Sequence, residues 1–196
     1  AFYASKPAIF TARGKVRVDD NQKKQYLISD VFYSNKTLGK TYITGKAIAI
    51  QVNSKDSIYL HADTLTIYED SIGNAIAMTG NKHVRIFSQA VQGIADSAFY
   101  NNVNGQLTLG KSPIIWSKNA QLKGDTIIVF MKDSIINKAL IIGKASAIME
   151  LDSGLYYNQL SGRKITALFE NNELQRADMN GNAWTPPPST QVFSEN

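Results

Sequence analysis

A chain of 196 residues, 43% hydrophobic and 19% charged, is long enough to bury a core and too apolar to stay disordered. No apolar run approaches the roughly 18 to 20 residues of a membrane-crossing helix. The absence of cysteine excludes disulfides, thiolate metal sites and cysteine nucleophiles, while a net charge of +5 tolerates anionic partners without naming one.

Two short signatures alternate along the chain. In order they are Gly14-Lys15, Ser29-Asp30, Gly45-Lys46, Ala62-Asp63, Gly80-Asn81, Ala95-Asp96, Gly110-Lys111, Gly124-Asp125, Gly143-Lys144, Gly162-Arg163 and Gly181-Asn182. The acids Asp30, Asp63, Asp96 and Asp125 are 33, 33 and 29 residues apart, and Arg163 stands 38 residues further on in place of a fifth. Such a fixed period identifies a repeat of two half-units. Polar clusters between the signatures, such as Asp20 to Lys24, Glu69 to Asn74, Asn101 to Gly105 and Ser117 to Asn119, carry turn chemistry. The segments between turns are rich in Ile, Val, Thr, Tyr and Phe, and helical spacing is nowhere sustained.

A half-unit of about 12 strand residues would extend roughly 40 Å, about twice the usual strand length. The signatures fall in the middle of these runs, where a small residue marks a bend or bulge. We therefore expect an all-β, elongated, open (V-shaped) jelly roll of about eleven bent antiparallel strands, folded over at each signature into two facing sheets. Residues 1–185 would form one domain. The Pro-rich stretch 186–196 reads as a linker or loose C-terminal tail, because proline cannot donate to a strand ladder.

Alternation counted from each acid puts Leu65 and Ile67, Ala98 and Tyr100, Ile127 and Val129, and Ile165 and Ala167 on the inner face. Counted from the glycines, Val16, Val18, Ile48, Ile50, Val84, Ile86, Ile114, Trp116, Ala147 and Met149 are the inner candidates. The acids and the glycines Gly14, Gly45, Gly80, Gly110, Gly143 and Gly181 read as structural bend residues, a short carboxylate being a good backbone acceptor at a bend.

This alternation resembles the OstA-like family, which includes the periplasmic bridge protein LptA and the N-terminal domain of the outer-membrane protein LptD. Pro113 to Ser117, Gln121 to Thr126 and Tyr157 to Gly162 are similar to the Bacteroidetes-type members. The resemblance covers about residues 12 to 185 and departs from the pattern at Arg163 and in the Pro-rich tail. It implies an exported periplasmic protein whose apolar trough carries the acyl chains of lipopolysaccharide. The inner residues named above would line that trough, and other Lpt-type jelly rolls or copies of the chain would pair with its edge strands.

An interior open at its ends suits alkyl chains, and an open terminal strand invites extension by another β-protein. Lys15, Lys46, Lys82, Arg85, Lys111 and Lys144 are candidates to meet lipid phosphates. Other chemistry finds little support. His61 and Asp63 share a strand face, but one further histidine, His83, and no cysteine assemble no ligand set, so neither metal nor cofactor is expected. No phosphate loop, nucleophile elbow or His-Glu-x-x-His segment marks an enzyme, and the scattered cations lack the stripe that nucleic acid requires. Tyr156, Tyr157, Trp116 and Trp184 offer a sugar-stacking reading, against their ordinary use as sandwich filling. The competing reading from another class is a structural or adhesive β-repeat with a filled core that assembles through its edges.

Overall fold

The computed structural model describes residues 2–5, 8–52, 57–89, 91–132, 135–151 and 156–181. The Pro-rich stretch and Trp184 lie outside them. Fourteen strands are described: β1 (Phe2–Ser5), β2 (Ala8–Asp20), β3 (Gln25–Asn35), β4 (Lys40–Val52), β5 (Ser57–Glu69), β6 (Ala75–Phe87), β7 (Val91–Asn101), β8 (Gln106–Gly110), β9 (Ile114–Ser117), β10 (Ala120–Lys123), β11 (Thr126–Lys132), β12 (Ile135–Leu151), β13 (Tyr156–Glu170) and β14 (Glu173–Asn180). All belong to one antiparallel sheet, and a 3-10 turn at Lys36–Leu38 is the one helical element among the described residues. The short strands β8 with β9, and β10 with β11, are each one pass interrupted at its signature. With β2 to β7 and β12 to β14 they make eleven passes, in keeping with the expected jelly roll, and β1 adds a short edge.

The bends have a specific backbone cause. Gly14-Lys15, Gly45-Lys46 and Gly143-Lys144 carry two consecutive residues at positive φ (78° and 41°, 73° and 54°, 70° and 45°), and the ladder skips across each pair. Two left-handed residues in succession turn the strand over while leaving both halves extended. In two repeats the pair has moved. Gly80 and Gly110 do not carry the bend; Lys82-His83 (60° and 49°) and Lys111-Ser112 (62° and 60°) do. Gly80 instead faces inward, where a Cβ would sit 3.4 Å from both Leu65 Cδ2 and Val84 Cγ2. The interior there has room for little more than a methyl group.

The acids belong to the same device. A Cβ at Gly45 would come within 2.8 Å of Asp30 Cβ, and Gly143 lies against the Asp125 carboxylate in the same way. Asp96 accepts from the Lys111 ammonium at 3.0 Å and from the His83 backbone N–H. Each acid therefore packs beside the left-handed pair of an adjacent pass. Left-handed backbone costs roughly 1–2 kcal/mol per non-glycine residue, so such partners are needed to hold it.

The passes place complete rows of side chains between two walls. In the first wall one row runs Ala12, Phe32, Ile43, Leu65, Gly80, Ala98, Leu109, Ile127, Ile141, Ile165 and Met179, each directly opposite the next. In the second wall the corresponding row runs Val18, Leu27, Ala49, Leu60, Ile86, Gly93, Ile115, Leu122, Ala147 and Leu160. Both rows contribute to one hydrophobic cluster, and Ile43, Leu65, Leu109, Ile127, Ile141 and Ile165 are wholly buried.

Candidate functional site: the interior between the walls

The residues two places after Asp63, Asp96, Asp125 and Arg163 face inward. Leu65, Ala98, Ile127, Val129 and Ile165 are buried. Ile67 and Tyr100 share a row with Thr41, Met78, Leu107 and Val129. Tyr100 is half-buried, and burial raises its phenol pKa. From the Gly half-units Val84 is buried, and Ile86 and Met149 pack against the core. Ile48, Ile50, Ile114 and Trp116 point the other way: their neighbours Ala47 and Ile115 are buried, and Ala49 packs against the core. Strand alternation then turns the four outward.

Facing is set by where each left-handed pair ends. Counted from the end of each left-handed pair, the first inward residue is Val16, Ala47, Val84, Pro113 or Ala145, and inward and outward positions alternate from there. Counting from the glycine itself loses this phase at Gly110, where the pair has slid by one residue. After Gly45 the larger Ile48 and Ile50 stand out over the small Ala47 and Ala49, and after Gly110 the count falls on Ile114 in place of Ile115.

The interior is closed in the middle and roomier at the C-terminal mouth. Small residues cluster there: Ala139, Ala167 and Ala177 in one row, Ala145 and Ala147 opposite. A cavity of about 350 Å³ opens between Ala147, Met149 and Leu160 of the second wall and Leu174 and Ala177 of the first.

The walls meet again at their rims. Asn119, in the turn between β9 and β10, donates from Nδ2 to Leu174 O and accepts from Leu174 N at its Oδ1, both at 3.1 Å. Beside it Lys118 Nζ lies 2.6 Å from Glu173 Oε1, and this partner raises the lysine pKa. Further along the seam Lys23 Nζ reaches Asn74 Oδ1 at 3.4 Å. A second cavity of about 720 Å³ lies on the rim, with Gln92, Trp116, Ser117 and Lys118 on one side and Asn172 and Glu173 on the other.

The signature cations occupy the outside of the crease. Lys15, Lys46, Lys82, Lys111 and Lys144 are exposed there, and Arg85 faces outward beside buried Val84. They do not line the trough. His83 Nδ1 lies 3.0 Å from the Asp63 carboxylate, whereas His61 Nδ1 contacts Ala47 O, so the two residues that share a face in the sequence are not partners. Among the described residues no group of His, Asp or Glu could hold a metal, and no helix is long and apolar enough to cross a membrane.

Residues 26–135, more than half of the chain, match the family described as LptA/(LptD N-terminal domain) LPS transport protein. The chain belongs to this family. The matched stretch runs from β3 to the start of β12 and contains all four acid signatures, so the family pattern coincides with the creased passes. A crystal structure of LptH, described as the LptA homologous periplasmic component of the lipopolysaccharide transport device from Pseudomonas aeruginosa, is similar in fold. It aligns at a TM-score of 0.51 and 14% identity, over 61% of this chain and 85% of that one. No curated protein matches the chain.

Sequence reasoning missed the Asn119–Leu174 exchange and the two cavities beside it. Ser117 to Asn119 carries a turn signal only, and its partner is 55 residues away. Nothing local announces a contact of that range.

Proposed function

We propose that this LptA/LptD N-terminal family member carries the acyl chains of lipopolysaccharide between its two walls in the periplasm and passes them to like domains aligned edge to edge. The observation that carries the reading is the C-terminal mouth, where a cavity of about 350 Å³ continues the interior rows and is lined by Ala147, Met149, Leu160, Leu174 and Ala177 together with four polar residues of β13 and β14. Each methylene buried there gains about 0.8 kcal/mol. Membership in a family of lipopolysaccharide transport proteins supports the choice of lipid. The sheet ends at β1 and β2 on one side and at β13 and β14 on the other, and such edges can accept another strand.

The wholly buried middle favours a second reading, a packed scaffold that assembles through its edges. A photoreactive benzoylphenylalanine placed at Ile86 or Met149, inward, and at Ile48 or Ile50, outward, separates the two. Transport predicts that lipopolysaccharide labels the inward pair far more strongly. Equal labelling of both pairs, or none at either, sinks the transport reading.

A further inference from the structure

We infer that the rim cleft beside Trp116 receives the sugar headgroup of a glycolipid whose alkyl chain enters the C-terminal cavity, with the Asn119–Leu174 exchange as the gate between them. This rests on the lipid-carrying reading above and adds a place and a route of entry.

The geometry starts from the two cavities. Glu173 lines the rim cleft and its neighbour Leu174 lines the inner cavity, so the first two residues of β14 form the partition. The partition is held to the second wall by side chains: the paired hydrogen bonds of Asn119 and the Lys118–Glu173 ion pair. Elsewhere adjacent passes are joined by backbone ladders, which cannot part without breaking the sheet. Here a turn and a strand start can separate while every ladder stays intact.

The inner cavity has Ala147, Met149, Leu160, Leu174 and Ala177 for an alkyl chain, with Asn158, Gln159, Gln175 and Arg176 also in its lining. On the rim, Gln92 and Asn172 present amides, and the buried Ser117 Oγ has no hydrogen-bond partner among the described residues. Trp116 Nε1 donates to Gln121 Oε1 at 2.9 Å, which satisfies the polar atom of the indole and leaves its ring as a stacking surface. Amides and a hydroxyl for polar groups, with an aromatic face for C–H groups, are the chemistry that recognises a sugar. Lys118 is already neutralised by Glu173, so a headgroup that is only a phosphate would have to displace a partner.

The test uses the full chain with benzoylphenylalanine at Gln92 in the cleft, at Met149 inside, and at exposed Asn81 on the crease as control. Purified lipopolysaccharide should label Gln92 and Met149 well above Asn81. Asn119→Ala removes two hydrogen bonds and should shift the gate toward open by on the order of tenfold, read as faster labelling at Met149; Lys118→Ala should act in the same direction if the first variant folds poorly. Labelling at Met149 with only control levels at Gln92 overturns the cleft and leaves the transport reading standing. No labelling at either position overturns both. Vesicles of phosphatidylglycerol should label Gln92 weakly, and labelling equal to that by lipopolysaccharide overturns the sugar assignment.

Discussion

Asp30 and Gly45 are locked together across the crease: a Cβ at Gly45 would fall 2.8 Å from Asp30 Cβ and 3.0 Å from its Oδ2, at a φ of +73°. Gly14 has nearly the same φ, +78°, but nothing within 4 Å of its Cβ position. The pair therefore separates backbone strain from crowding. Gly14→Ala should cost roughly 1–2 kcal/mol for left-handed backbone alone, and Gly45→Ala should cost about 1–3 kcal/mol more for overpacking. Urea denaturation of the two variants measures the difference, and equal losses would mean that the acid yields freely.

Facing can be tested by truncation. Ile43 is wholly buried in the inner row of the first wall, while Ile48, five residues on in the same strand, is turned outward by the left-handed pair between them. Ile43→Ala should lose about 2–5 kcal/mol, as buried aliphatic truncations do. Ile48→Ala should lose much less, because no cavity forms. Comparable losses would contradict the outward assignment.

The contrast also marks what the sequence could disclose. Polar turns, strand composition and the repeated signature were enough to lay out the passes and their creases, because each is a local property. Inner residues after the acids were legible for the same reason: Leu65, Ala98, Ile127 and Ile165 all stand two places after the signature's second residue. Those after the glycines were legible only in part: the slide to Lys111-Ser112 shifts the alternation by one, the two-residue slide to Lys82-His83 preserves it, and after Gly45 the small inward Ala47 and Ala49 carry less apolar signal than Ile48 and Ile50. The rim contacts between Asn119 and Leu174 depend on how the walls close, which no short window of residues encodes.

Acid sensitivity should appear at the crease. The Lys111 ammonium 3.0 Å from Asp96 holds its carboxyl below the usual value of 3.8, helped by the charge of His83 and its backbone N–H. A carboxyl whose pKa is depressed on folding adds stability above its unfolded pKa and loses it as the pH falls through the folded value. Asp96→Asn should therefore lower the melting temperature at neutral pH. The gap between wild type and variant should close as the pH drops below about 3.8. A gap independent of pH would place the effect in packing rather than charge.

Both ends of the sheet carry the same guard. On β2 Arg17 Nε lies 2.8 Å from Asp19 Oδ1, and on β14 Arg176 Nε lies 2.7 Å from Asp178 Oδ1. Residues two apart share a strand face, so each pair sits on one side of a terminal strand. Exposed pairs of this kind add little stability, typically below about 1 kcal/mol. Charges on an edge strand do, however, disfavour uncontrolled pairing with another chain, because the approaching strand must desolvate them. Replacing Arg176 and Asp178 together by threonine, a good strand former, should leave the melting temperature nearly unchanged and promote concentration-dependent self-association. Sedimentation velocity over a range of concentrations reads the outcome. If the double variant sediments like the wild type throughout, the ion pair does not guard the edge, and restraint on assembly must reside elsewhere on β13 and β14.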